Sequence, residues 1–111
     1  MKITDVQVHV RPRTPDPNPI RDALQALPGA GSVEVALQAQ DGTPGSGSVS
    51  FGRVPGAPQA LAALIMHVLR PVVVGTELAQ VRETHKAMLR EAEYLGSFGL
   101  ASFGIAAVDT A

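Results

Sequence analysis

The chain has 111 residues, 45% of them hydrophobic and 17% charged, with a formal net charge of −1 at pH 7. That length suits one domain able to bury roughly 65% of its unfolded surface, and the near-zero charge gives no electrostatic case for nucleic acid or an anionic membrane. The absence of cysteine excludes disulfide frameworks and thiolate metal sites; the start, Met1–Asp5, lacks the pattern of a signal peptide, and no apolar run reaches a membrane span, so a cytoplasmic location is expected.

Residues 3–10 alternate. Thr4, Val6, Val8 and Val10 fall on one side, Asp5, Gln7 and His9 on the other, which is the period of a half-buried strand. Arg11-Pro12 ends it. Residues 11–31 carry Pro12, Pro15, Pro17, Pro19 and Pro28, and Gly29 and Gly31 close the segment. Proline removes donors and restrains its neighbours, so the first half is predicted to be an extended loop. Within it, Ile20–Leu27 is expected to make a short helical turn with Leu24 and Leu27 inward. A connection this long is either functional or a plain surface loop.

The stretch from Ser32 to Phe51 organises the remainder. Val33, Val35, Leu37 and Ala39 alternate with Glu34, Ala36, Gln38 and Gln40. Asp41-Gly42 signals a tight turn, and a small, alternating run follows it. The pattern predicts a β-hairpin with one apolar face, which is marginal until something covers that face.

Gly52–Pro58 reads as a second irregular loop. Pro58 suits the first turn of a helix, and Leu61, Leu64, Ile65, Val68 and Leu69 then form one stripe. Pro71 is expected to stop that helix near Arg70, with Val72–Val74 a buried connector broken by Gly75. Thr76 is the expected N-cap of a helix running to about Leu95, with Gly96 as its C-terminal cap. Leu78, Val81, His85, Met88, Ala92 and Leu95 are expected on its inner face. Arg82, Glu83, Lys86, Arg90, Glu91 and Glu93 are expected in solvent. Leu100–Ala111 is apolar nearly all round, a helix expected to be buried on most sides, Asp109 included. Without a terminating signal after it, the polypeptide is expected to continue.

Catalytic constellations are missing from this pattern. His9, His67 and His85 form no ligand pair, and His85 in its apolar stripe is expected to be a hydrogen-bonded packing residue. The carboxylates are scattered, with no acid–base pair, and no serine sits in a nucleophile elbow. Gly42, Gly45 and Gly47 do not open a helix, as a phosphate loop would. They are expected to let the hairpin twist and another backbone approach closely. The two loops remain, one with Arg11, Arg13, Thr14, Asp16, Asn18 and Arg21, the other with Phe51, Arg53 and Val54. Each follows a strand running in the same direction, so both are expected to leave the same edge of a three-stranded sheet and to supply recognition.

The order of parts resembles the N-terminal capping domain of the enolase superfamily, in its mandelate racemase and muconate lactonizing enzyme branch. The resemblance covers nearly the whole chain. It rests on the opening Met-Lys-Ile-Thr-Asp, on Asp41-Gly42-Thr43-Pro44-Gly45-Ser46-Gly47, on Leu69–Gly75 and on Gly104-Ile105-Ala106-Ala107-Val108-Asp109-Thr110-Ala111. One departure is Ser48, where the family commonly has glutamate after the Gly-x-Gly.

The resemblance implies an α+β fold: a three-stranded antiparallel sheet followed by a cluster of about three helices, with residues 1–111 the capping domain. It implies a longer polypeptide whose C-terminal barrel binds Mg²⁺ through carboxylates. There a base removes the proton next to a substrate carboxylate, and the metal stabilises the enediolate. This chain is then expected to hold no metal and no catalytic residue. Residues 11–31 and 51–57 become loops that close over the barrel mouth, with Arg13, Thr14, Asp16, Asn18, Arg21, Phe51 and Arg53 the candidate substrate-binding residues. A sugar-acid dehydratase or racemase, a lyase or isomerase that is homo-oligomeric at full length, is the implied enzyme, and the isolated chain is expected to be inactive. The alternative is a stand-alone α+β interaction module without catalysis.

Overall fold

Strand β1 (Ile3–Pro12) pairs with β4 (Gly31–Ala39), which pairs with β5 (Pro44–Phe51), all antiparallel, in the order β1-β4-β5. The computed structural model describes residues 1–12, 20–21, 26–27, 29, 31–51, 54, 56–95 and 99–111. The register places Val10, Val33 and Val49 in one row and Val8, Val35 and Gly47 in the next. One face is therefore apolar, with Val6, Val33 and Val35 fully buried. The opposite face presents rows such as His9, Glu34 and Ser48, the polar side of a one-sided antiparallel sheet. The alternation in β1 breaks near its start. The register shifts between Ile3 and Asp5, so Thr4 is the extra residue of a bulge and is exposed, while Ile3 turns into the core.

The two ends of the expected helical turn over Ile20–Leu27 are strands instead, while residues 22–25, Leu24 among them, lie outside the described residues. Ile20–Arg21 (β2) and Ala26–Leu27 (β3) pair as two short antiparallel strands. Leu27 precedes Pro28, and a residue before proline is pushed away from helical angles.

The helical layer begins with α1 (Ala57–Leu64) and passes without a break through a π-helical segment (Ile65–Leu69) into α2 (Arg70–Val73). The stripe Leu61, Ile65, Leu69 and Val73 is buried on the sheet. Pro71 does not stop the helix near Arg70, as expected; it sits inside α2. The reason lies in the turn before it. The Arg70 N–H bonds to the carbonyl of Ile65, five residues back, and this wider turn relieves the crowding of a proline ring against the preceding turn.

Thr76 also departs from expectation. Its hydroxyl donates to the Val73 carbonyl at 2.7 Å, and its own carbonyl accepts from the Ile3 N–H at 3.0 Å. Gly75, at φ +92°, donates to the Ile3 carbonyl, and Leu78 to that of Met1. Residues 75–78 are thus committed to the start of β1, and α3 begins only at Val81 (Val81–Ala92), followed by one 3₁₀ turn at Glu93–Leu95. The inner face is smaller than expected. Met88 and Ala92 are buried, whereas Leu78, Val81 and Leu95 are exposed. The proposed cap at Gly96 lies outside the described residues.

Helix α4 (Leu100–Thr110) crosses β5. Its buried residues are Ala101, Gly104, Ile105, Ala107 and Val108, while Phe103, Ala106 and Asp109 are exposed, so one face is covered rather than most sides. The glycines of β5 make this crossing possible. A Cβ on Gly45 would overlap the Ala111 carbonyl, and one on Gly47 the Ala107 carbonyl. This is the close backbone approach expected of them.

Candidate functional site

The two loops of interest are rooted side by side. In register, Pro12 faces Gly31 on one side and Phe51 faces it on the other. Strands β1 and β5 both run antiparallel to β4 and so end together. With strands about 4.8 Å apart, the two exits lie roughly 10 Å from each other. Segments 13–30 and 52–56 therefore depart from one end of the sheet, as the strand directions predicted.

The candidate residues divide by position. Arg13, Thr14, Asp16, Asn18 and Arg53 lie outside the described residues. Arg21 has its backbone in β2, paired with Ala26. Phe51 is the last residue of β5; it is half-buried and meets Phe103 of α4 edge to face, with centroids 5.8 Å apart. Val54 follows in the second loop, exposed and at φ +67°, a region where a β-branched residue is an outlier. Sequence reasoning missed both the Phe51–Phe103 contact and the strain at Val54. Neither has a local signal, since one joins distant segments and the other is a backbone angle that valine does not favour.

The opposite end of the sheet is closed by the tight turn between β4 and β5. At the Asp41-Gly42 turn, the Thr43 N–H donates to Asp41 Oδ1 at 2.9 Å, and the Gly42 N–H to the Ala39 carbonyl. The hydrogen bond from the Thr43 backbone is the main reason that the Asp41 carboxyl is held below its ordinary value. These donors are occupied by the chain itself, which leaves them unavailable to a phosphate. A cavity of about 120 Å³ opens nearby, with Ile3, Leu37, Val73, Met88, Glu77 and Asp109 among its lining residues. It is smaller than ordinary ligand sites.

His85 does not fill its expected role. Its Nδ1 is shielded from solvent yet lacks a hydrogen-bond partner among the described residues. It faces Asp109 Oδ1 at 3.6 Å, beyond hydrogen-bond length. Asp109 is itself exposed on α4 and not buried as expected. Among the described residues, no three His, Asp or Glu side chains converge to hold a metal ion. No helix of the described residues is long and apolar enough to cross a membrane.

One ion pair ties the layers together. Arg70 Nη2 donates to Asp5 Oδ1 at 2.9 Å and its Nε to the Val6 carbonyl at 3.2 Å, while the Val6 N–H donates to Asp5 Oδ1. Both polar groups of Val6 on the open edge of β1 are thereby satisfied, which blunts that edge. Hydrogen bonds from Gln7, then Arg70, hold the Asp5 carboxyl below its ordinary value.

Comparison with known proteins matches residues 4–111 to the family described as mandelate racemase / muconate lactonizing enzyme, N-terminal domain. No curated protein matches significantly. Among solved structures, the chain is similar to a racemase from Streptomyces coelicolor A3(2) with bound magnesium, at 27% identity and a TM-score of 0.84, covering 96% of this chain and 29% of that one. It is similar in fold to a mandelate racemase/muconate lactonizing enzyme-like protein from Rubrobacter xylanophilus, at 16% identity and a TM-score of 0.83, covering 98% and 28%. A mandelate racemase/muconate lactonizing protein from Paracoccus denitrificans PD1222, complexed with magnesium, matches at 25% identity and a TM-score of 0.71, covering 97% and 25%. The chain thus spans less than a third of the length of these proteins.

Proposed function

The chain belongs to the mandelate racemase / muconate lactonizing enzyme N-terminal domain family of the enolase superfamily, and from that premise we propose that it selects the substrate of a larger Mg²⁺-dependent enzyme acting on a carboxylic acid. The observation that carries the reading is the shared root of the two loops, with Pro12 and Phe51 flanking Gly31 at one end of the sheet. Loops that leave together can close together over one ligand.

In this reading the domain supplies positioning and exclusion of water, and the remainder of the polypeptide supplies proton transfer. Arg13, Arg21 and Arg53 meet the anionic substrate, since a guanidinium fork matches a carboxylate in two hydrogen bonds. Thr14, Asp16 and Asn18 bond to its hydroxyls, and Phe51 marks where the second loop leaves the sheet. The magnesium recorded in two of the similar proteins supports Mg²⁺ in the complete enzyme. The described residues of this chain do not fit such an ion, so no metal chemistry is assigned to them. A sugar acid is the proposed substrate class, with dehydration or racemisation as the outcome.

The test uses the complete natural polypeptide with Mg²⁺ and a panel of sugar acids in D₂O. Proton NMR reads loss of the α-proton signal or appearance of a dehydrated product. Turnover of at least one acid is expected, with Arg53→Ala raising KM about tenfold and lowering kcat far less. A panel that yields no exchange and no product refutes the enzyme reading and favours the interaction module. Unchanged kinetics in Arg13→Ala, Arg21→Ala and Arg53→Ala alike refute the loop assignment. Turnover by residues 1–111 alone refutes the division of labour.

A further inference from the structure

Strand β1 lies at one margin of the sheet, paired on its inner side with β4. The N–H and carbonyl of Val6 point outward, where Asp5 and Arg70 take them. Outward groups recur at every second residue of an antiparallel strand, so those of Val8 and Val10 point the same way. Among the described residues, no backbone group bonds to them. Ile3 is occupied by Gly75 and Thr76, and Pro12 has no N–H to offer. The edge is thus blunted at both ends and open over Val8–Val10. Val6 is fully buried, whereas Val8 and Val10 are half-buried. The helical layer therefore stops short of this corner and leaves apolar side chains beside the open backbone. The other margin differs. There the backbone of α4 stands against Gly45 and Gly47 of β5. Adjacent strands lie about 4.8 Å apart and packed helices about 8–10 Å, so a second β5 has no room for its own α4.

We propose that the Val8–Val10 edge of β1 pairs antiparallel with the same edge of a second copy of this chain, about a two-fold axis at His9. Val8 then exchanges both backbone hydrogen bonds with the partner's Val10, and Val10 with the partner's Val8. This register uses the open groups and leaves Val6 with Asp5 and Arg70. The outer face of β1 reads Asp5, Gln7, His9, Arg11, acid at one end and base at the other. An antiparallel copy sets the basic end against the acidic one. Arg11 faces the partner's Gln7 and lies diagonal to the partner's Asp5, within reach of a long side chain. That complementarity selects a second copy as the occupant. The inference is independent of the lid reading, because it uses no loop residue.

Sedimentation velocity of the complete natural polypeptide over a range of concentrations tests this, and a dimer is expected. Gln7→Lys sets like charges opposite each other in two symmetric places and is expected to raise the dimer Kd about tenfold. Gln7→Glu sets opposite charges there and is expected to lower it about threefold. Within one chain the signs reverse, because Gln7 already donates to Asp5 Oδ2: lysine suits that neighbour and glutamate does not. The sign therefore tells a change in association from a change in folding stability. Val10→Pro deletes an outward N–H that the ladder to β4 does not use and is expected to raise Kd about a hundredfold; the Gln7 pair decides where the proline variant does not fold. A monomeric parent, a dimer whose Kd none of the variants moves, or one that Gln7→Lys tightens and Gln7→Glu weakens overturns the proposal. So does protection of the Val8 and Val10 amides from hydrogen exchange that is equal at every concentration, which puts the remainder of the same polypeptide on this edge.

Discussion

Gly47 lies where α4 crosses β5, and its lack of a side chain sets how near the two elements come. In Gly47→Ala the new Cβ would overlap the Ala107 carbonyl oxygen and stand 3.0 Å from the Ala111 nitrogen and 3.2 Å from Thr110 Cβ. The obstacle is helix backbone, and that carbonyl already accepts the Ala111 N–H at 3.1 Å, so neither partner yields cheaply. Overpacking a fitted contact costs about 1–3 kcal/mol, and backbone obstruction puts this site at the upper end. Weakening the Ala111–Ala107 hydrogen bond adds up to about 1 kcal/mol. Alanine returns about 0.4–1 kcal/mol by restricting the unfolded chain. The net expectation is a destabilisation of about 2–3 kcal/mol, or roughly 10 °C in melting temperature for a domain of this size. Urea unfolding followed by circular dichroism measures it. The control is Gly56→Ala, at φ −86° with nothing within 4 Å of its Cβ, which should stay within about 0.5 kcal/mol of the parent. If Gly47→Ala is as silent as the control, α4 does not cross β5 at this distance and the account of the glycines fails.

Two further outcomes follow from the geometry. Asp5 has its carboxyl lowered from an ordinary value of 3.8 by Gln7 and Arg70, so it contributes stability that is present above that value and lost as the pH falls through the lowered one. In Asp5→Asn the acid limb of a stability–pH curve below about pH 4 should flatten; because the Arg70–Asp5 pair is part-exposed, the change is modest and salt-sensitive, and an unaltered limb would remove Asp5 from the account. Val54→Gly should stabilise the protein by up to about 1 kcal/mol, since the left-handed penalty of about 1–2 kcal/mol exceeds the entropic cost of glycine, about 0.5–1 kcal/mol. A clear loss of stability on thermal unfolding would mean that Val54 does not hold φ +67°.

The three strands of the main sheet were legible because their signal is local, whereas β2 and β3 were not. Alternating branched residues, an Asp-Gly turn and two glycines in β5 each fix a feature within a few positions, and the antiparallel order then follows with little freedom. The shared exit of the two loops was legible too, since strand direction alone determines it. The helix boundaries were misread where the preference of one residue met a partner that its own position does not reveal. Pro71 is a helix stop in isolation, but a π turn upstream accommodates it. Thr76 is a good cap in isolation, but its carbonyl is taken by Ile3, and that long-range commitment delays the start of α3 to Val81 and leaves Leu78 outside the helix and exposed.

By itself, the sequence determined the class of the domain, the inward face of the main-sheet strands beyond the bulge at Thr4 and the end of the sheet where the loops leave, because side-chain period and chain direction are properties of the backbone alone. It also carried the family resemblance, in the order and spacing of its glycine and proline signals. Only the tertiary structure decided where the helices begin and end, how closely α4 approaches β5, and that Phe51 leans on Phe103. Those depend on contacts between residues far apart in the chain, where the free energy of a pairing made elsewhere outweighs the local preference of a threonine, a proline or a valine.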